Sequence, residues 1–178
     1  MRVVSKILSW LFVYSGLILI TYGGLLLYLR TAPLPTIQED VVSTANHFPS
    51  SITIPKLELS LPIYPASRVG NEWETSSVGV SYLTSSPLPG DQGNSVMYGH
   101  NWPNLLKRLK EVAPGDKIVV NRSGSPGLSY TIHFVSVVTP DQSHIYSNTN
   151  DQRLTLYTCT GFLDSKRLVV TAILDTSI

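Results

Sequence analysis

A single cysteine, Cys159, ends the run Leu154-Thr155-Leu156-Tyr157-Thr158-Cys159 and is followed by Thr160-Gly161. A thiol attacks as its thiolate, and a neighbouring cation lowers its pKa; a tetrahedral acyl intermediate also needs positive charge or N–H donors at its oxygen. Arg167, eight residues past the thiol, meets both needs if a hairpin through Gly161, Phe162, Leu163 and Asp164 returns it beside Cys159. Acyl transfer then calls for a histidine that exchanges a proton with the thiol and the leaving amine. Of the four histidines, His47 lies in a polar stretch, His133 mid-strand, His144 in a polar loop, and His100 at a strand end before a helix. His100 is the leading base, and His144 is the rival because its loop could fold over the site. Trp102, two positions beyond His100, can line a groove, and Thr158 and Gly161 can offer backbone N–H groups near an acyl oxygen.

Each residue also has a plainer reading. A lone cysteine serves as a small buried hydrophobe or as one half of an intermolecular disulfide. His100 is then a hydrogen-bonded structural histidine, and Arg167 a solvated strand-end charge paired with Asp164. One cysteine excludes an internal disulfide and a thiolate-rich zinc site. The residues call for no metal and no cofactor, and nothing in them marks a calcium site.

The elements that must position these residues are short strands. Ser51–Ile54 and Leu57–Leu61 alternate apolar with polar, with Pro55 and Pro62 interrupting or ending them. Further strands are expected at 78–82, 94–99, 117–120, 129–138, 153–159 and 167–174, separated by turn clusters such as Pro114-Gly115-Asp116. Such a series predicts a sandwich or closed barrel. Strand parity sends Leu154 and Leu156 to the core with Thr158, and Thr155, Tyr157 and Cys159 to the other face. One helix is expected from Pro103, carrying Leu105, Leu106, Leu109 and Val112 at its apolar spacing.

Ahead of this domain, residues 7–29 carry no charge, and 23 residues at ~1.5 Å rise span ~35 Å, enough for a hydrocarbon layer ~30 Å thick. Arg2 and Lys6 in residues 1–6, against Glu39 and Asp40 beyond, orient the N-terminus to the cytoplasm and the rest outside. A cleaved signal peptide is the competing reading, but its apolar core is normally ~7–15 residues. Residues 30–50, with Pro33 and Pro35, read as an extracytoplasmic stalk, and 51–178 as the working domain. Beyond residue 30 acids outnumber bases 12 to 10, so no basic stripe exists for nucleic acid beyond Lys107, Arg108 and Lys110.

Thr155-Leu156-Tyr157-Thr158-Cys159 matches the TLxTC signature of the sortase family, the membrane-anchored cysteine transpeptidases of bacterial surfaces. Arg167 opens the next strand as the family places its arginine. Tyr98-Gly99-His100, followed by a helix and Pro114-Gly115-Asp116, is similar to the family's histidine region. Ile54-Pro55-Lys56-Leu57 and Leu61-Pro62-Ile63 resemble its opening strands. The resemblance covers about residues 50–175. It implies a mainly β fold, a closed eight-stranded sortase-type barrel with one or two short helices, behind a single transmembrane helix.

The same resemblance implies a transpeptidase that cuts a C-terminal LPxTG-like sorting signal through a thioester on Cys159. The acyl group would pass to an amine of a cell-wall precursor or a pilin lysine, with surface proteins as the other partners. His100 becomes the general acid or base and Arg167 the oxyanion or substrate stabiliser. Thr158, Trp102, His144 and Tyr146 become candidates for substrate contact. The loop of about 140–151, holding His144 and Tyr146, matches the family's substrate-recognising loop by position alone, and the connection from Cys159 to Arg167 is short compared with many members. Two other functions stay open. One is a cell-wall transpeptidase of the L,D type, whose cysteine usually follows a Ser-His-Gly run absent here. The other is a catalytically silent, membrane-tethered β-domain that binds wall or surface proteins.

Overall fold

The structure is a computed structural model that describes residues 2–31, 48–69 and 72–175. It divides into two compact units, Met1–Leu34 and Pro35–Ile178. The first holds helix α1, Arg2–Thr31. Its stretch Trp10–Tyr28 is 19 residues of apolar helix with none of its surface buried, which is long and apolar enough to cross a membrane. Most of the expected stalk, residues 32–47 with His47, lies outside the described residues.

The second unit is built from ten strands: β1 Pro49–Ile54, β2 Leu59–Ala66, β3 Arg68–Val69, β4 Glu72–Trp73, β5 Val80–Leu83, β6 Gly93–Gly99, β7 Lys117–Arg122, β8 Ser125–Val138, β9 Gln152–Thr160 and β10 Lys166–Leu174. Eight of them close a barrel in the order β1-β2-β5-β6-β9-β10-β8-β7, and β3 and β4 pair apart from it. Closure leaves no open rim for the barrel as a whole, which suits a small β-domain. Ile52, Ile54, Met97, Ile118, Ile132, Leu154, Leu156, Val170 and Ala172 are all within 1% of fully buried and fill the interior.

On β9 the parity expected for Leu154 and Leu156 holds, since both are fully buried. The opposite face is not open to water, however. Thr155 is also buried, bonded to Asn94, and Tyr157 is buried because Ala66, Leu83, Val96, Tyr98 and Val169 join it in a second apolar cluster covered by Trp73, Ile145 and Tyr146. The barrel wall at β6, β9 and β10 therefore has apolar packing on both sides.

The expected helix from Pro103 is corrected. Residues 103–106 form turns, and only Lys107–Glu111 is helical, as a 3-10 helix. Leu105, Leu109 and Val112 each donate their N–H to the carbonyl three residues back, on Trp102, Leu106 and Leu109. Those i→i−3 bonds define 3-10 turns rather than an α-helix. All four apolar residues are nevertheless buried, Leu106 and Leu109 completely. Two successive tight turns thus present the same apolar set that suggested one helix. Leu57 likewise ends a 3-10 turn, Pro55–Leu57, and Pro62 lies inside β2 rather than at its end. A proline removes only one ladder donor, and β2 keeps its pairing to β1 and β5 through the surrounding residues.

Candidate active site

Two strand pairings assemble the site. Cys159 on β9 stands directly opposite Arg167 on β10 in the antiparallel register, so their side chains leave the same face of the wall. On the other side of β9, Gly99 pairs with Thr158 in the parallel ladder with β6. His100 and Cys159 are each the residue following that pair. Thr158 is buried, and its Oγ1 donates to the Gly99 carbonyl at 2.7 Å, which clamps the end of β6 onto β9. Thr158 thus fixes the register that brings His100 alongside the thiol's strand.

His100 is half-buried, and its ring stacks on Trp102 with centroids 4.4 Å apart and planes 8° from parallel. The turns that follow hold this pair in place: Leu106 donates its N–H to the His100 carbonyl at 3.2 Å, and Leu105 and Lys107 donate to the Trp102 carbonyl. Gly99 leaves room for this, since a Cβ there would lie 3.1 Å from a Leu106 methyl.

Arg167 is half-buried and donates Nη1 to the backbone carbonyls of Asp164 at 2.8 Å and Lys166 at 3.0 Å. It meets Asp164 through the main chain, so the strand-end reading of Arg167 is replaced by a guanidinium tied into the β9–β10 loop. That loop returns tightly because Gly161, Leu163 and Asp164 all take positive φ, at 81°, 49° and 56°. Burial pushes the Cys159 thiol above its ordinary range, the Arg167 charge pulls it down, and the Asp164 carboxylate pushes it up.

Beyond the thiol, the outer face of β6 and β9 is aromatic. Tyr98 and Tyr157 are stacked at 5.4 Å, and Trp73 meets both edge-on at 5.2 and 6.0 Å. Tyr146 closes the group, 5.1 Å from Trp73 and 5.3 Å from Tyr157. The Tyr98 hydroxyl donates to the Glu74 carbonyl at 2.6 Å, and the Arg68 guanidinium lies over the Trp73 ring. Burial raises all three phenols, Tyr98 to about 12, so they are neutral donors at physiological pH. Arg167 and Arg68 partly offset that rise at Tyr146.

Among the sequence candidates, the fold brings Cys159, Arg167, His100, Trp102, Thr158 and Tyr146 to one region. His144 lies on the same 3-10 turn as Tyr146, Ser143–Tyr146, with its side chain outside the described residues. His133 is exposed on β8, on the far side of β10 from the thiol. Trp73, Tyr98 and Asn94 adjoin this region and were not among the candidate site residues. Tyr98 and Tyr157 carried a usable signal, as aromatic residues at matching parity on two strands. Among the described residues, no group of three His, Cys, Asp or Glu side chains converges as a metal site.

Comparison with known proteins agrees with this fold. A Sortase domain matches residues 52–175. Sortase A of Bacillus anthracis is 30% identical over 123 residues, covering 67% of this chain and 56% of that protein. The chain therefore spans little more than half the length of that relative. Among solved structures, sortase A from Corynebacterium diphtheriae superposes with a TM-score of 0.64 at 30% identity, covering 76% of this chain and 64% of the other. Sortase C-1 from Actinomyces oris does so with a TM-score of 0.61 at 28% identity, covering 72% and 73%.

Proposed function

From the premise that this chain belongs to the sortase family of cysteine transpeptidases, we propose that it cuts a C-terminal LPxTG-like sorting signal and joins the new carboxyl end to an amine. The observation that carries this reading is the pair of registers, Cys159 with Arg167 and Gly99 with Thr158, which set thiol, guanidinium and imidazole on adjoining strand ends.

The steps follow from that arrangement. The Cys159 thiol passes its proton to His100, and the resulting thiolate Sγ attacks the scissile carbonyl carbon. The Arg167 guanidinium holds the developing oxyanion, at a site half out of water where such charge is worth more than in solution. Collapse breaks the C–N bond, and the protonated His100 gives its proton to the departing amine, leaving a thioester on Cys159. A second amine, from a cell-wall precursor or a pilin lysine, loses its proton to His100 and attacks the thioester. The products are an amide and the free thiolate. Trp102 keeps the His100 ring in its plane, and Tyr146 borders the groove in which the signal lies. Arg2 and Lys6 at the start of α1 favour a cytoplasmic N-terminus, which supports a thiol on the envelope side where surface proteins emerge.

The test is product analysis with sorting-signal peptides, with and without a small amine such as triglycine. The reading predicts an amide of peptide and amine, made by the full chain and absent from Cys159→Ala. Cleavage that persists in Cys159→Ala would overturn it.

A further inference from the structure

Asn94 is 2% exposed, and no chemistry proposed above uses it. Every polar atom of its side chain is engaged. Nδ2 donates to the carbonyls of Ile145 at 3.0 Å and Ser147 at 3.2 Å, and Oδ1 accepts from the buried Thr155 Oγ1 at 2.7 Å. Its backbone N–H donates to Asn148 Oδ1 at 3.1 Å. A hydroxyl can donate only one proton, so Thr155 fixes the amide's oxygen toward β9 and its two N–H groups toward the loop.

The carbonyls it holds belong to residues 145–147, the segment that carries Tyr146 over the aromatic face and into the field of Cys159 and Arg167. The fit is close on the neighbouring residue too. A Cβ at Gly93 would stand 2.2 Å from Asn148 Oδ1, so only glycine admits that side chain. On one side of the stapled segment lies a cleft of about 460 Å³, bordered by Ser86, Asn94, Tyr146 and Asn148. The segment therefore forms one wall of that cleft and, through Tyr146, borders the aromatic face of β9.

We propose that Asn94 is a positioning residue that staples the 145–148 segment to the sheet and so sets how tightly the peptide substrate is held. This rests on the function proposed above. Asn94→Asp keeps the shape and Oδ1 but turns the two donors into an acceptor facing two carbonyl oxygens. Thr155→Val removes the hydroxyl that orients the amide.

The test measures three things on the full chain in detergent: peptide kinetics, alkylation of Cys159 by iodoacetamide, and hydrogen exchange across 143–150. For Asn94→Asp the expected result is a rise in KM of about 10-fold or more, with kcat within about twofold and alkylation unchanged. Exchange should be faster in 143–150 and unaltered in β9 and β10. Thr155→Val should shift KM the same way by less. A fall in kcat at unchanged KM, or exchange that stays slow in 143–150, would overturn the proposal. If the wild type turns over no peptide, the reading of function fails, and exchange alone decides whether Asn94 is the staple.

Discussion

Two charges of opposite sign act on the Cys159 thiol from the same hairpin, and burial acts against both thiolate and attack. Desolvation is the largest influence and raises the thiol, Arg167 lowers it and Asp164 raises it. Arg167 is the charge that opposes burial and stabilises the thiolate. Removing it should move the pH profile of Cys159 alkylation to higher pH, whereas Asp164→Asn should move it lower; stopped-flow alkylation across pH 6–10 reads both. The same Arg167→Ala change should lower kcat for acyl transfer by about 10²–10³, the usual effect of losing one oxyanion donor. Equal kcat in wild type and variant would remove that role. That Arg167 returns beside Cys159 was legible from spacing, because an eight-residue hairpin leaves few alternatives. Asn94 was not, since an amide has no titration and its value lies in which carbonyls it meets.

Turns and strand ends do the positioning at the scale of elements. Leu106 is fully buried and its N–H bonds the His100 carbonyl, so it links the barrel's packing to the histidine. Leu106→Ala should cost about 2–5 kcal/mol of stability and lower kcat more than it raises KM, as measured by thermal unfolding and steady-state kinetics. A large stability loss with unchanged kcat would separate the turn from His100. The eight barrel strands were readable because alternation and turn residues mark each one. The helix at 103–112 was misread because consecutive 3-10 turns bury leucines at nearly the helical spacing. The β3–β4 pair left no period to read, with two residues in each strand. The parallel partnership of β6 with β9 was equally hidden, since β7 and β8 intervene in the chain and only the folded register joins them.

The barrel is also fastened across its closure. Asp175, just past β10, binds Lys117 of β7 at 2.7 Å and the hydroxyls of Ser129 and Thr131 on β8. Burial alone would raise this carboxyl, but those three donors outweigh it and hold it at about 2. A carboxyl depressed on folding stabilises fully above its unfolded value near ~4 and loses that contribution as pH falls toward 2. Thermal stability of the wild type should therefore drop over that window, and Asp175→Asn should be less stable at neutral pH and flatter across it. A parallel pH dependence in both proteins would assign the loss to other groups. At this scale composition and periodicity foretold an apolar N-terminal span and a β-domain, sandwich or barrel, and the resemblance to sortases is what chose the closed barrel. The aromatic cover over the outer face was beyond it, because that cover unites Trp73, Tyr98, Tyr146 and Tyr157 from four distant segments.

The central claim is a thioester between a sorting signal and Cys159, and intact mass spectrometry of the full chain in detergent with a panel of LPxTG-like peptides tests it most directly. The account predicts an acyl adduct on the wild type, absent from Cys159→Ala and discharged as an amide when an amine is added. A reduced, folded protein that gains no mass from any peptide in the panel would contradict it.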